Sequence, residues 1–377
     1  MKSMVRKTPV ILITLLVLAV TACAVQIESK AIPTPNPPEP TPSPRMLVLP
    51  DDDASHQSPI EWWYYNGHLQ SDDGDQYSFH FVIFQTQRAD EYETFEFGQA
   101  GITDVTSANH HVISSQGFAA LDSMENAKTE NLLRLNLGNF ALDIESDGSH
   151  VFDARDLQSG TGIKLQTLAP TSTMLHEGVG WMDWPFGWTY YYTYPRMTAE
   201  GTLTIENREI EVSGEVWFDH QWGDFFVVGK PAGWQWFALH LDDGRSLMIA
   251  EVRGADGEVV STDGTLIEPG SPQKVFDAAR DGLQLDVLEH WTSPHTDGEY
   301  PSSWRLRVES VGIDVQLAPT IADQEIPSMP YGNQAAAYWE GRVDVFDTAT
   351  GRNIGTAFAE LSGYVDPDPL TWRNVTP

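Results

Sequence analysis

The sequence predicts an all-β protein of two tandem β-barrel domains with few short helices. Three observations predict it. Large and polar residues alternate in segment after segment, the strand period. Turn signals such as DDG, DG, NG and GN separate those segments. And the chain repeats itself along its length.

The strands come in order. "YSFHFVIFQ" (77–85) alternates, as do "NLLRLNLGNFALDIE" (131–145) and "GTLTIENREIEVSGEVWF" (201–218). In the second half the same pattern marks "WQWFALHL" (234–241), "SLMIAEVR" (246–253) and "WRLRVES" (304–310). No long segment has helical periodicity, and the best helix candidate lies around "SPQKVFDAAR" (271–280). Many evenly spaced strands in such a chain argue for barrels or sandwiches.

Two sequence pairs carry the repeat. "WWYYNGHLQSDDG" (62–74) resembles "WQWFALHLDDG" (234–244), matching Trp62 with Trp234 and His68 with His240. Glu200-Gly201 leads to "GEVWFDH", and Glu340-Gly341 leads at almost the same spacing to "GTAFAEL", which sets Asp219 opposite Glu360. The halves divide at "VVGKPAG" (227–233). The expected organisation is a signal segment 1–23, a proline-rich tether 24–50, one domain over 51–228 and a second over 229–377.

The first two of these segments address the protein. Lys2, Arg6 and Lys7 precede a short apolar run ending in "VTAC", the pattern of an export signal with Cys23 as a lipidated residue. Cys23 is also the sole cysteine, so the mature chain forms no internal disulfide. "AIPTPNPPEPTPSPR" (31–45) favours an extended polyproline spacer, about 3.1 Å per residue. The expectation is a body tethered to the outer face of a bacterial membrane. The formal charge of −32 excludes a nucleic-acid partner, because phosphate binding needs a basic face.

The chemistry-bearing stretch is "WFDHQWGD" (217–224), with Asp219, His220, Trp222 and Asp224. In an extended strand Trp217, Asp219 and Gln221 share one face, and Phe218, His220 and Trp222 the other. Grouping acid and imidazole therefore requires the strand to end near Gly223. The competing reading is a strand cap, with both aspartates bonding turn amides and Trp222 plugging a barrel end. Aromatic runs supply walls for an apolar ligand. They are "EWWYYNGHL", with Glu61, Trp62, Trp63, Tyr65 and His68, and "WMDWPFGWTYYYTYPRM", with Trp184 and Trp188. Trp234 joins them through the repeat. No HxH or HxxxH spacing signals a metal, and no cofactor motif is present.

Together "SPIEWWYYNGHL", "WFDHQWGD", "GWQWFALHLDDGRSLM" and "YWEG…AELSGY" resemble the AttH-like family, relatives of carotenoid 1,2-hydratase (hydroxyneurosporene synthase). The resemblance runs from about residue 58 to 366. It implies two lipocalin-like barrels and an apolar substrate. It also gives weight to His220 and Trp222. Where carotenoid hydratases carry Tyr-x-Asp, this chain reads "SLMIAEVR", with Glu251 as nearest acid. The implied activity is water addition to C=C of an isoprenoid- or polyketide-like substrate by acid–base chemistry. Asp219 would be the acid, His220 the base, Trp222 the shelter for the cation, and Asp224 would orient water. The alternative is a non-catalytic carrier of a hydrophobic ligand. A serine hydrolase is disfavoured, since there is no GxSxG elbow.

Overall fold

A computed structural model describes residues 44–86, 93–120, 131–184, 187–225, 232–254, 256–327 and 336–366. The signal segment, Cys23 and most of the tether lie outside the described residues.

The first sheet is built from Ile60–Ser71 (β1), Gln76–Thr86 (β2), Glu93–Asp104 (β3), Asn109–Ala120 (β4), Leu133–Leu137 (β5), Phe140–Ile144 (β6), His150–Asp156 (β7), Thr161–Thr167 (β8), Met174–Leu175 (β9), Trp181–Trp184 (β10), Gly187–Ile205 (β11) and Arg208–Phe225 (β12). Its order is β4-β3-β2-β1-β12-β11-β8-β7-β6-β5, with β9 and β10 on β11. The two ends of this path approach each other, so the sheet curls into a nearly closed barrel. β11 and β12 form its longest hairpin. Glu206 and Asn207, both at positive φ, make its two-residue turn, the geometry that matches strand twist.

The second sheet follows with Gly233–Leu241 (β13), Ser246–Arg253 (β14), Val259–Ile267 (β15), Lys274–Asp277 (β16), Leu283–Thr292 (β17), Glu299–Val308 (β18), Ile313–Pro319 (β19), Glu325–Ile326 (β20), Tyr338–Asp347 (β21) and Asn353–Leu361 (β22). Its order is β16-β15-β14-β13-β22-β21-β19-β18-β17, curled into a half-barrel. The helix candidate around 271–280 is helical only at its end. "KVFD" pairs with β15, and only Ala278–Asp281 (α1) is helical, capped by the Asp277 side chain, which accepts from Arg280 N at 2.7 Å.

The orders of the two sheets run in parallel, and so does their register. Tyr64 pairs with Asp219 across β1/β12, and Trp236 pairs with Glu360 across β13/β22. Asp219 and Glu360 are therefore equivalent positions, as are His68 and His240. The Glu200/Glu340 match fails. Glu340 pairs with Glu360, whereas the residue opposite Asp219 is Thr193, and Glu200 lies opposite Ser213.

Where the sheets meet, the strands bury both faces. Trp63, Tyr65, Phe218, His220 and Trp222 point into the first barrel, and Phe237, Leu239, Ala359 and Leu361 into the second. The alternate residues meet in a third apolar layer between the sheets: Tyr64, Tyr191, Trp217, Trp236, Ala238, Met248 and Ala250. Within it the equivalent residues of the two halves touch. Tyr64 meets Trp236 edge-on at 5.6 Å, and the rings of His68 and His240 are 6.3 Å apart. The tether's last residues also belong to the body, since Leu47 and Leu49 pack on the first core.

Candidate functional site

Three carboxyls enter the interbarrel layer, alongside buried imidazoles and hydroxyls such as His68, His80, His240 and Thr193. Asp219 reaches it from β12, Glu340 from β21 and Glu360 from β22. β12 stays extended through Phe225, so its alternation decides the placement. Asp219 faces the second sheet, while His220 and Trp222 face the interior of the first barrel. The grouping of Asp219 with His220 and Trp222 is thus not what the structure brings together. Asp224 is exposed at the hairpin's end, opposite Trp188.

Asp219 is held by three donors. Tyr191 Oη donates to Oδ2 at 2.7 Å, Trp217 Nε1 donates to Oδ1 at 2.8 Å, and the Thr193 hydroxyl donates to Oδ1. Trp236 Nε1 donates in turn to Tyr191 Oη at 3.0 Å, linking the second sheet to the acid. Burial nevertheless pushes the Asp219 carboxyl up to about 7, against those donors. Glu360 also rises to about 7. Burial is the main cause, opposed by a hydrogen bond from Trp234 and reinforced by the charge of Asp219. Glu340 is raised well above the usual range by burial and by Glu360, although the Tyr64 hydroxyl donates to it. His80 Nδ1 stands 3.6 Å from Glu340 Oε2, and burial holds that imidazole neutral. Three acids in one dry layer cannot all be charged, so protons remain in it at neutral pH.

The other sequence-predicted residues divide between the faces. Trp62 edges the interbarrel layer, stacked on Phe84 at 5.2 Å, and Trp234 edges it from the second sheet. His68 is buried beside His240 and turned down by burial. Trp63 and Tyr65 are core of the first barrel. Trp63 Nε1 donates to the Asp53 carbonyl at 3.0 Å, and Tyr65 Oη lies 2.8 Å from His150 Nδ1. Trp188 stacks on Trp181 at 5.3 Å beside that barrel's end. The side chain of Trp184 lies outside the described ones.

Glu61 belongs to a second polar cluster, at the end of the first barrel. There Asp51–Asp53 and the residues up to Ser58 cross the mouth. Its Oε1 lies 2.9 Å from His220 Nε2 and 2.7 Å from His56 Nδ1. Burial presses the Glu61 carboxyl upward, but the two imidazoles hold it below its ordinary value. Asp53, beneath, receives both the Tyr192 and the Tyr194 hydroxyls, and burial raises it to about 6.

Sequence reasoning missed Tyr191, Thr193, Trp236 and His56 as site residues. It reached Glu360 and Glu340 only as members of the repeat. That match was the available signal: an acid at 219 with an acid at its repeat-equivalent position.

The two sheets, their parallel order and the polar layer between them define a two-domain lipocalin-like protein. The AttH-like family matches residues 40–364, and the chain belongs to that family. Among solved structures it is similar to a Nitrosomonas europaea protein assigned as AttH, with 24% identity and a TM-score of 0.74, covering 86% of this chain and 99% of that one. It is also similar to kievitone hydratase from Nectria haematococca, with 16% identity and a TM-score of 0.65, covering 85% and 94%. These likenesses show the fold. No curated protein matches the sequence.

Proposed function

We propose that the chain is a hydratase-like enzyme that adds water to a C=C bond of a hydrophobic, isoprenoid- or polyketide-like substrate held between the two sheets. The observation that carries this reading is the pair of buried carboxyls, Asp219 and Glu360, poised near 7 among indole and phenol rings. Alkene hydration needs an acid that still holds its proton at neutral pH, and burial supplies one. The Tyr191 hydroxyl gives its proton to the carbon and takes the Asp219 proton in exchange, reversing the hydrogen bond it donates to Oδ2 at rest; the proton that Glu360 later takes up returns to Asp219 before the next turnover. A carbon–hydrogen bond forms and the π bond breaks. The tertiary cation is sheltered by the faces of Trp217, Trp236 and Tyr64. Water adds to it and gives its proton to the Glu360 carboxylate. The kievitone hydratase neighbour is consistent with this class of chemistry.

His220 does not serve as the base in this reading, because it lies behind the strand from Asp219. The non-catalytic carrier would use the same apolar layer without turnover, and one assay separates the two. Isoprenoid alkenes are incubated with the protein in ¹⁸O-water and the products weighed. The enzyme incorporates one heavy oxygen, and Asp219→Asn or Glu360→Gln lowers the rate by about a hundredfold or more with melting almost unchanged. An alkene that binds and is recovered unchanged means a carrier.

The reading extends to location. The chain is proposed to be an exported lipoprotein, anchored through Cys23 on the outer face of a bacterial membrane. Cys23→Ser should move it from the membrane to the soluble fraction; retention in the membrane would mean another anchor.

A further inference from the structure

We propose that His56, Glu61 and His220 form a site for one divalent transition-metal ion of the zinc type, at the mouth of the first barrel. The site is separate from the interbarrel acids, because His220 and Asp219 project from opposite faces of β12.

Convergence is the first argument. The three residues come from three places in the chain: the strap before β1, the start of β1 and the far end of β12. Yet His56 Nδ1 and His220 Nε2 stand 2.7 and 2.9 Å from the same oxygen, Glu61 Oε1. One ligand atom from each residue lies within 4.8 Å of the others. Two imidazole nitrogens and one carboxylate oxygen are a recurrent zinc donor set that leaves a fourth position for water.

The second argument is what lies behind each donor. His56 turns its other nitrogen to Asp52 Oδ1 at 3.3 Å, and His220 turns its other nitrogen to Tyr192 Oη at 3.1 Å. Glu61 Oε2 accepts from the His56 backbone amide at 2.9 Å and from Ser55 Oγ at 3.3 Å. Such outer partners are what fix ligating imidazoles and carboxylates in place.

Proton counting gives the third. The Tyr192 hydroxyl has one proton, and it goes to the Asp53 carboxylate. Its oxygen therefore accepts from His220 Nδ1–H. A His220 with its proton on Nδ1 presents Nε2 to Glu61 Oε1 at 2.9 Å, a gap that either a proton or a metal ion can fill.

The surroundings suit an ion that enters from water. Trp222 stacks on His56 at 3.8 Å and Trp63 on His220 at 4.9 Å, walling two sides. The His56 side chain is 16% exposed and opens the third. Metal bonds of about 2.0–2.2 Å in a tetrahedron place donors roughly 3.3 Å apart, so each imidazole nitrogen needs to move from Glu61 Oε1 by only about half an ångström. A bound ion would clamp the strap to β1 and β12.

The test uses the full-length chain, stripped with chelator and then titrated with Zn²⁺ by calorimetry and with Co²⁺ by visible absorption. One equivalent of Zn²⁺ should bind, Co²⁺ should show the strong visible bands of four-coordination, and Zn²⁺ should raise the melting temperature. His56→Ala and Glu61→Gln should each weaken binding at least tenfold, while the exposed His290→Ala should not. If Glu61→Gln fails to fold, His56→Ala decides, since its ring is partly exposed. Absence of stoichiometric binding would leave a protonated His56–Glu61 ion pair and overturn the proposal. Undiminished binding in His56→Ala would also overturn it.

Discussion

Asp219 shows how one side chain's surroundings become a property of the protein. Its carboxyl has an ordinary value of 3.8 and reaches about 7 in the fold. The folded chain therefore keeps a proton that the unfolded chain releases between about pH 4 and 7. By linkage, that contribution to stability is complete below about pH 4 and is lost as pH rises through about 7. Glu360 acts in the same direction up to about 7, and Asp53 and Asp263 up to about 6. Asp52 acts with the opposite sign. Hydrogen bonds from His56 and Arg45 outweigh its burial and hold it well below its ordinary value, so its contribution fades only in stronger acid. Buried imidazoles such as His68, His80 and His240, held down by burial, also act with the opposite sign below about 6.5. Asp219 is therefore read by comparison: between about pH 4.5 and 7.5 the slope of melting temperature against pH should be more negative in the wild type than in Asp219→Asn. An equally steep slope in the variant would show that Asp219 is ionised throughout.

At the scale of the element, the β11–β12 hairpin decides which groups meet. Its alternation sends Asp219 outward and His220 inward, and that much was legible in "EVWFDHQWGD". The direction of neither face was legible, because both are buried. A strand between two apolar environments has no polar face to mark solvent. The same cause made "FHFVIF" in β2 nearly uniform: Phe79, Phe81 and Ile83 fill the barrel while Val82 joins the interbarrel layer. Gly223 had suggested a strand end. It has a different role, for a Cβ there would lie 2.2 Å from the Trp188 carbonyl oxygen and 2.8 Å from Thr189 Cα. Glycine lets β12 run on beside β11. Gly223→Ala should therefore destabilise the fold by roughly 1–3 kcal/mol, measured by denaturant unfolding. A neutral effect would mean that the hairpin end adjusts freely.

Across the whole molecule, the strand content and the duplication were readable because alternation, turn residues, the match of 62–74 with 234–244 and that of Asp219 with Glu360 survive in one chain. How the halves join was not readable. They pack outer face to outer face, so equivalent residues meet one another, and the carboxyls of the two halves come into one layer. No local pattern announces that Asp219, Glu340 and Glu360 share a dry space, nor that His56 reaches residues 61 and 220. Such groupings exist only once the sheets have closed and stacked. The proposed chemistry depends on this closure leaving a proton on Asp219 at neutral pH. The most direct measurement is a carbon-13 NMR titration of the protein labelled at aspartate carboxyls, with Asp219→Asn identifying the signal. A midpoint near 7 is expected; a midpoint near the ordinary 3.8 would mean that the carboxyl is ionised at neutral pH.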